Sequence, residues 1–168
     1  MNALRYWGHL ARRFLEALTA RPLDEQAKKE VSELLRSDAE KRAFFDQPVA
    51  DQQHGLAAAR LVMDRIDLRR AALLHDIGKH EAGLGVWGRS VATALVALHI
   101  KVRGRFRRYL DHGIIGAAIL QELGAEAIVV DFARYHQAGR PPTIPPDDWD
   151  TLQRADRKAR TLFMRAIR

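Results

Sequence analysis

The chain has 168 residues, with 28 Lys and Arg against 21 Asp and Glu, a net charge of +7 and no cysteine. That length suits one domain with one good core, and the lack of thiols excludes disulfides and thiolate metal ligands while permitting a cytoplasmic location. No run of ~18 apolar residues is present, so no membrane span is expected; the basic balance points to anionic partners such as phosphate esters, nucleotides or nucleic acid.

Met1 to Arg21 is amphipathic, and Arg5, Arg12, Arg13 and Glu16 break any signal-peptide core, so the segment reads as a helix over Asn2 to Ala20. Pro22 suits the first turn of a second helix ending near Arg36. Ser37-Asp38-Ala39-Glu40 has the form of a capping box and starts a third helix, to about Asp46. Pro48 starts a fourth, through about Ile66, and Leu68 to Ile77 is a fifth, with Gly78 as its stop. Glu81 to Gly88 reads as a glycine-rich loop, and Ser90 to Val102 as helix. A basic turn, Lys101 to Arg108, follows. His112 to Leu123 is helical and ended by Gly124, and Ala125 to His136 follows at once. Pro141, Pro142, Pro145 and Pro146 make a stiff extended connection. Asp147, Asp148 and Asp150 open the last helix, whose later half carries Arg154, Arg157, Lys158, Arg160 and Arg165, a polarity that complements the helix dipole. Alternating strand patterns and internal repeats are missing, so the expected fold is an all-α helical bundle forming one domain over residues 1–168.

Residues three, four and seven apart share a helix face. On that spacing His54 falls with Ala50, Ala57, Ala58 and Leu61, and His75 with Leu68, Ala71 and Ala72. His112 falls with Ile115, Gly116 and Ile119, His136 with Val129, Phe132 and Ala133, and Asp156 with Trp149, Leu152 and Ala159. Small neighbours (Ala58, Ala72, Gly116, Ala133, Ala159) would leave room for a cavity. A single histidine on an apolar face is ordinarily a satisfied core residue, and His99 passes the same test with no role assigned, so the pattern is not selective by itself. What tips the reading is the adjacent pair His75-Asp76 together with an inward Asp156, because an aspartate is rarely buried unless paired or bound to a metal.

Four imidazoles and two carboxylates suit borderline or hard divalent ions: Mn, Fe, Mg, Co, Ni or Zn, one or two of them. An aspartate flanked by histidines can bridge two ions, activating a water between them and neutralising phosphate oxygens. Lys79, just past the pair, is a point charge suited to a phosphate oxygen, though a solvated lysine after a helix stop is the plain alternative. Arg140, in the proline-rich loop, is a second substrate-binding candidate against the same plain alternative. His9 and His80 read as surface residues, and Glu81 has nothing to single it out. The basic turn is either a solvated charge run or a patch that contacts phosphate or RNA through Arg103, Arg105, Arg107 and Arg108, with Phe106 or Tyr109 stacking.

The ordered set His54, His75-Asp76, His112, His136 and Asp156, with the local texts His75-Asp76-Ile77-Gly78-Lys79 and His112-Gly113-Ile114-Ile115-Gly116, resembles the HD-domain superfamily of metal-dependent phosphohydrolases and its two-metal pattern H…HD…H…H…D. The resemblance spans residues Val49 to Ala166, leaving 1–47 as an N-terminal helical extension before an HD-type core at 48–168, with a cap or an oligomer contact both open for that extension. It implies an all-α HD bundle in which His54, His75, Asp76 and Asp156 hold a first metal and Asp76, His112 and His136 a second. It implies Asp76 and Lys79 in catalysis, with Lys79 polarising phosphate, and hydrolysis of a phosphoester or phosphoanhydride of a nucleotide or dinucleotide. The order also resembles the bacterial HD hydrolases of diadenosine tetraphosphate. Where HD-GYP cyclic-dinucleotide enzymes carry His-His-Glu and Gly-Tyr-Pro, this chain has Tyr135-His136-Gln137 and Gly139-Arg140-Pro141, which sets it apart from that subgroup. A different class of reading is an HD-fold module that binds nucleotide or metal without turnover.

Overall fold

The computed structural model describes residues 20–163 except 64, 86, 87, 89, 90, 93, 96, 97 and 99. The expected helix over Asn2 to Ala20 lies, but for Ala20, outside the described residues, as do His9, His99 and residues 90, 93, 96 and 97 of the expected Ser90 to Val102 helix; of that helix residues 91, 92, 94 and 95 are helical and 100–102 are not. Eight α-helices and one 3-10 helix follow in chain order, with no strand among the described residues, so the all-α expectation holds.

Helix α1 (Glu25–Leu34) begins three residues after Pro22, because the Asp24 side chain accepts the Ala27 N–H at 2.8 Å and sets the start there. Helix α2 (Asp38–Phe45) starts as the sequence predicts, with Ser37 Oγ accepting the Glu40 N–H at 3.1 Å. The reciprocal half of a capping box does not form: Glu40 turns inward, accepts the Arg36 N–H at 2.7 Å and pairs with the buried guanidinium of Arg70.

Helix α3 (Val49–Arg60) stops short of the expected Ile66. The Leu61 and Val62 amides bond carbonyls three residues back, at 3.1 and 3.2 Å, tightening the last turn and ending the helix. A new helix, α4 (Ile66–Leu74), then begins, with Arg65 forked onto Asp67 and reaching Asp148. The chain leaves α4 through His75 and Asp76, the latter at φ −100°, ψ 6°, and enters the 3-10 helix Ile77–Ala82. Gly78 therefore does not stop a helix, and the expected glycine-rich loop starts only at Gly83, whose φ of 55° needs glycine. The second half of the basic turn is helical too: α5 (Arg105–Leu110) follows Gly104, at φ 59°. Helices α6 (His112–Glu122), α7 (Ala127–Tyr135) and α8 (Pro146–Phe163) complete the bundle, α8 with Pro146 at its first position.

One core joins the N-terminal helices to the rest of the bundle. Val31, Leu34, Phe44, Leu56, Leu73, Leu74, Leu120, Phe132, Ile144 and Leu152 are buried in one cluster, so α1 and α2 belong to the same packing unit as α3, α4, α6, α7 and α8. Across that core Arg70, 1% exposed, bonds both Glu40 and Glu126, tying α2 to α4 and to the N-terminal end of α7.

Three glycines set the close crossings that matter for the site. A Cβ at Gly55 would stand 2.5 Å from the Leu73 carbonyl oxygen, so α3 meets α4 at backbone distance. A Cβ at Gly78 would overlap the His112 carbonyl and the Gly116 backbone, and one at Gly113 would stand 2.9 Å from the Ala133 carbonyl oxygen. Gly116, expected to leave room for a cavity, is instead filled by Gly78. Each crossing glycine is the immediate or near neighbour of a candidate ligand: Gly55 of His54, Gly78 of Asp76, Gly113 of His112.

Candidate metal centre

His54, His75, Asp76, His112, His136 and Asp156, more than 100 residues apart at the extremes, meet in one cluster. His75 and His136 occupy equivalent places, each capping the C-terminal end of its helix, α4 and α7. His112 opens α6, His54 lies within α3 and Asp156 within α8. All are buried except His54, whose side chain is 14% exposed.

The same backbone device orients three of the rings. Nδ1 of His75, His112 and His136 donates to the carbonyl three residues earlier: Ala72 at 2.9 Å, Tyr109 at 2.7 Å and Ala133 at 2.8 Å. A carbonyl can only accept, so Nδ1 carries a proton and Nε2 is the atom turned into the cluster. There Asp76 stands between two sets of rings. Its Oδ2 lies 3.8 Å from His54 Nε2 and 3.3 Å from His75 Nε2, and its Oδ1 lies 3.3 Å from His112 Nε2 and 3.5 Å from His136 Nε2. Two trios of ligand atoms therefore converge, each within 4.8 Å of one another: His54, His75 and Asp76, and Asp76, His112 and His136. Asp156 borders the first trio, with Oδ1 at 3.0 Å from His54 Nε2 and 3.5 Å from His75 Nε2.

These approaches lack hydrogen-bond geometry where it counts. His75 Nε2, His112 Nε2, His136 Nε2 and Asp76 Oδ1 are all buried without a hydrogen-bond partner. One such orphan costs about 1–3 kcal/mol; four facing a common centre is a set of donors shaped for a cation. Nitrogen and oxygen ligands without sulfur fit a borderline or hard divalent ion. Phe132, its ring tilted at 5.7 Å from that of His75 and 6.0 Å from that of His136 and met edge-on by Trp149, closes the cluster on its apolar side.

The electrostatics follow from that crowding. Burial works against ionised Asp76, but His75 and Lys79 outweigh it and hold the carboxyl well below the usual carboxylate range. Burial likewise opposes ionised Asp156, and the hydrogen bond with His54 and the nearby ring of His75 reverse it, leaving this carboxyl low as well. Burial pushes His54 and His136 below the usual histidine value. At His75 burial acts in the same direction, but the Asp76 and Asp156 carboxylates prevail and raise it to about 10.

Lys79 is brought to the cluster by the 3-10 helix, its ammonium against Asp76 Oδ2. Arg140 is not: it is exposed, and its guanidinium donates to the Ile144 carbonyl at 2.8 Å in its own loop. His80 and Glu81 are exposed, as the sequence predicts for His80. In the basic segment Arg105 donates to the Ala82 and Gly83 carbonyls and Arg107 to Asp111 at 2.7 Å. Sequence reasoning missed Arg160, which forks onto Asp156. The signal was available, since an acid and an arginine four apart on a helix face each other, but the eye reads Arg160 as one more charge in a basic helix end.

The described fold is an all-α bundle that gathers four histidines and two aspartates from five segments into groups that could hold a metal ion. The family model of the HD domain matches residues 29–164, and the chain belongs to that family, whose superfamily is generally one of metal-dependent hydrolases. The match starts inside α1, ahead of the Val49 at which the sequence resemblance begins. Neither the comparison with curated proteins nor that with solved structures returned a match. Among the described residues, no helix is long and apolar enough to cross a membrane.

Proposed function

We propose that this protein is a phosphohydrolase that cleaves a phosphoester or phosphoanhydride bond of a nucleotide or dinucleotide. The observation that carries the reading is the set of three backbone-fixed imidazoles whose unpartnered Nε2 atoms face the Asp76 carboxylate, those of His112 and His136 its unpartnered Oδ1. His54, His75 and Asp76, with Asp156 beside them, would hold one divalent ion, and Asp76, His112 and His136 a second. Such ions, when bound, supply Lewis acidity toward phosphate oxygens and lower the pKa of a water.

The chain's own contributions are separable. The three carbonyl bonds fix the ring orientations before any ligand arrives, so little reorganisation is needed. Asp76 keeps its charge at neutral pH because His75 and Lys79 hold its carboxyl low. Lys79, itself kept cationic by Asp76 against the opposing effect of burial, is a charge that can meet a phosphate oxygen. Phe132 keeps water from the back of the cluster, which strengthens every charge interaction inside it. Arg140 stays a weaker substrate candidate, because its donors serve the Ile144 carbonyl. A small phosphorylated molecule suits the surface better than a nucleic acid, since Arg105 and Arg107 are committed to contacts within the chain.

The test is metal content per chain by elemental mass spectrometry, wild type against Asp76→Ala, followed by product release from a nucleotide and dinucleotide panel with the metal found. About two ions per chain, lost in the variant together with product release, is the expected result. Unchanged turnover in Asp76→Ala would sink the reading. Tight nucleotide binding by the metal-loaded protein with no product after long incubation would replace it with a non-catalytic HD-fold binding module.

A further inference from the structure

Arg160 is in direct contact with the cluster through Asp156. Its Nε lies 3.0 Å from Asp156 Oδ1 and its Nη2 bonds Oδ2, so the guanidinium grips both oxygens of the carboxylate. A surface pair of this spacing normally has both partners in water and contributes little. Here the two ends differ: the carboxylate is 4% exposed and belongs to the cluster, while the guanidinium side chain is 47% exposed. Lys79, the other cation at the site, is 11% exposed. Of these two cations Arg160 is the one that reaches solvent. Tyr109 lies within electrostatic reach of both Arg160 and Lys79, and its ring is 5.9 Å from that of His112, so the phenol stands on the same side as the two cations.

Charge balance gives this arrangement a direction. Asp76 and Asp156 face Lys79 and Arg160 as well as the histidine rings, with Asp51 in electrostatic reach of Lys79. Each divalent ion the cluster takes up adds two positive charges, and the surplus is neutralised most readily by an anion arriving from the open side. The guanidinium is built for that anion, because its paired N–H groups fit two phosphate oxygens as well as two carboxylate oxygens.

We propose that Arg160 is the substrate-anion receptor of the site: it releases Asp156 and takes a phosphate group of the substrate at the mouth of the cluster. The assignment rests on the phosphohydrolase reading above and adds to it, beside Lys79, a second cation for the phosphate.

The experiment uses the full chain loaded with manganese, as wild type, Arg160→Ala and Arg160→Lys. Manganese per chain is measured by elemental mass spectrometry, and affinity for inorganic phosphate and for pyrophosphate by calorimetry. The expected result is unchanged manganese in all three proteins, a loss of at least tenfold in phosphate affinity in Arg160→Ala, and an intermediate loss in Arg160→Lys, which keeps the charge without the fork. Should the alanine protein unfold, the lysine protein decides by the same two readings. Phosphate affinity unchanged in the variants overturns the proposal, and so does loss of manganese in them, which would make Arg160 a holder of Asp156 alone. A wild type that binds manganese and phosphate through Arg160 but turns over no nucleotide leaves the receptor assignment standing and defeats the hydrolase reading. A wild type that binds neither defeats both.

Discussion

His75 is the residue on which the chemistry of the cluster turns. Its Nδ1 is committed to the Ala72 carbonyl, and its Nε2 faces Asp76 at 3.3 Å and Asp156 at 3.5 Å. Burial opposes a charged ring there, yet the two carboxylates raise its pKa to about 10. Below that pH, chelator-treated protein holds a proton where a cation would bind, so metal uptake must expel it. The apparent affinity for manganese is therefore expected to rise about tenfold per pH unit between pH 7 and 9 from this group alone. Calorimetry in two buffers of different ionisation enthalpy reads the released proton directly; affinity flat across that range would show that His75 is already neutral. Asp76, by contrast, stays ionised throughout, because its carboxyl is held far below this window.

At the scale of elements, the cluster depends on backbones that come closer than side chains normally allow. The 3-10 helix Ile77–Ala82 rests on α6 through Gly78 and Gly116, and this contact sets Asp76 against His112. Gly78→Ala would drive its methyl group into the His112 carbonyl, which is backbone and cannot step aside. Overpacking of this kind costs about 1–3 kcal/mol, and the upper end is expected here. The prediction is a urea midpoint lowered accordingly, together with weakened manganese binding, because Asp76 and His112 are pushed apart. The exposed Gly85, around which a Cβ meets nothing, is the control: Gly85→Ala should change neither reading. A Gly78→Ala protein as stable as wild type would mean that the two elements do not pack as closely as described.

For the molecule as a whole, folding brings like-charged and polar groups together and a bound cation should repay that cost. Anything that binds the folded chain alone stabilises it by mass action, by about 2.7 kcal/mol at a hundredfold excess over Kd. A divalent ion should therefore raise the thermal midpoint, and chelator should reverse the gain. The pH profile of chelator-treated protein has a defined shape. His54 and His136 are depressed in the fold, so the unfolded chain takes up protons below the usual value of 6.5 and stability falls with falling pH. Asp76 and Asp156 are depressed too, and their contribution is lost on further acidification through and below the ordinary carboxylate range. The raised His75 acts in the opposite sense: its contribution is complete below 6.5 and lost as pH rises toward about 10. Stability without metal should thus peak near pH 6.5, which denaturation midpoints across pH 4 to 10 would check, and a monotonic rise with pH would refute the assignment to His75.

The helical class, the partners that matter to the chemistry and the lysine beside them are written in local patterns: apolar residues at helical spacing, a histidine beside an aspartate, an ordered series of further histidines. Those patterns survive without knowledge of the fold because helix periodicity is a property of ten or so neighbouring residues. Tertiary structure decided the rest. Gly78 looks like a helix stop because, in sequence, a glycine after an apolar run ends helices; that it instead admits the His112 carbonyl depends on a segment more than thirty residues away. At the break between α3 and α4 Arg65 reaches Asp148 of α8, and Arg140 is drawn off to the Ile144 carbonyl by the shape of its loop. Arg160 gains its importance only because Asp156 is buried at its other end. Local pattern names residues that can do chemistry; only the packing of distant segments determines which of their atoms are left without a partner and face one another.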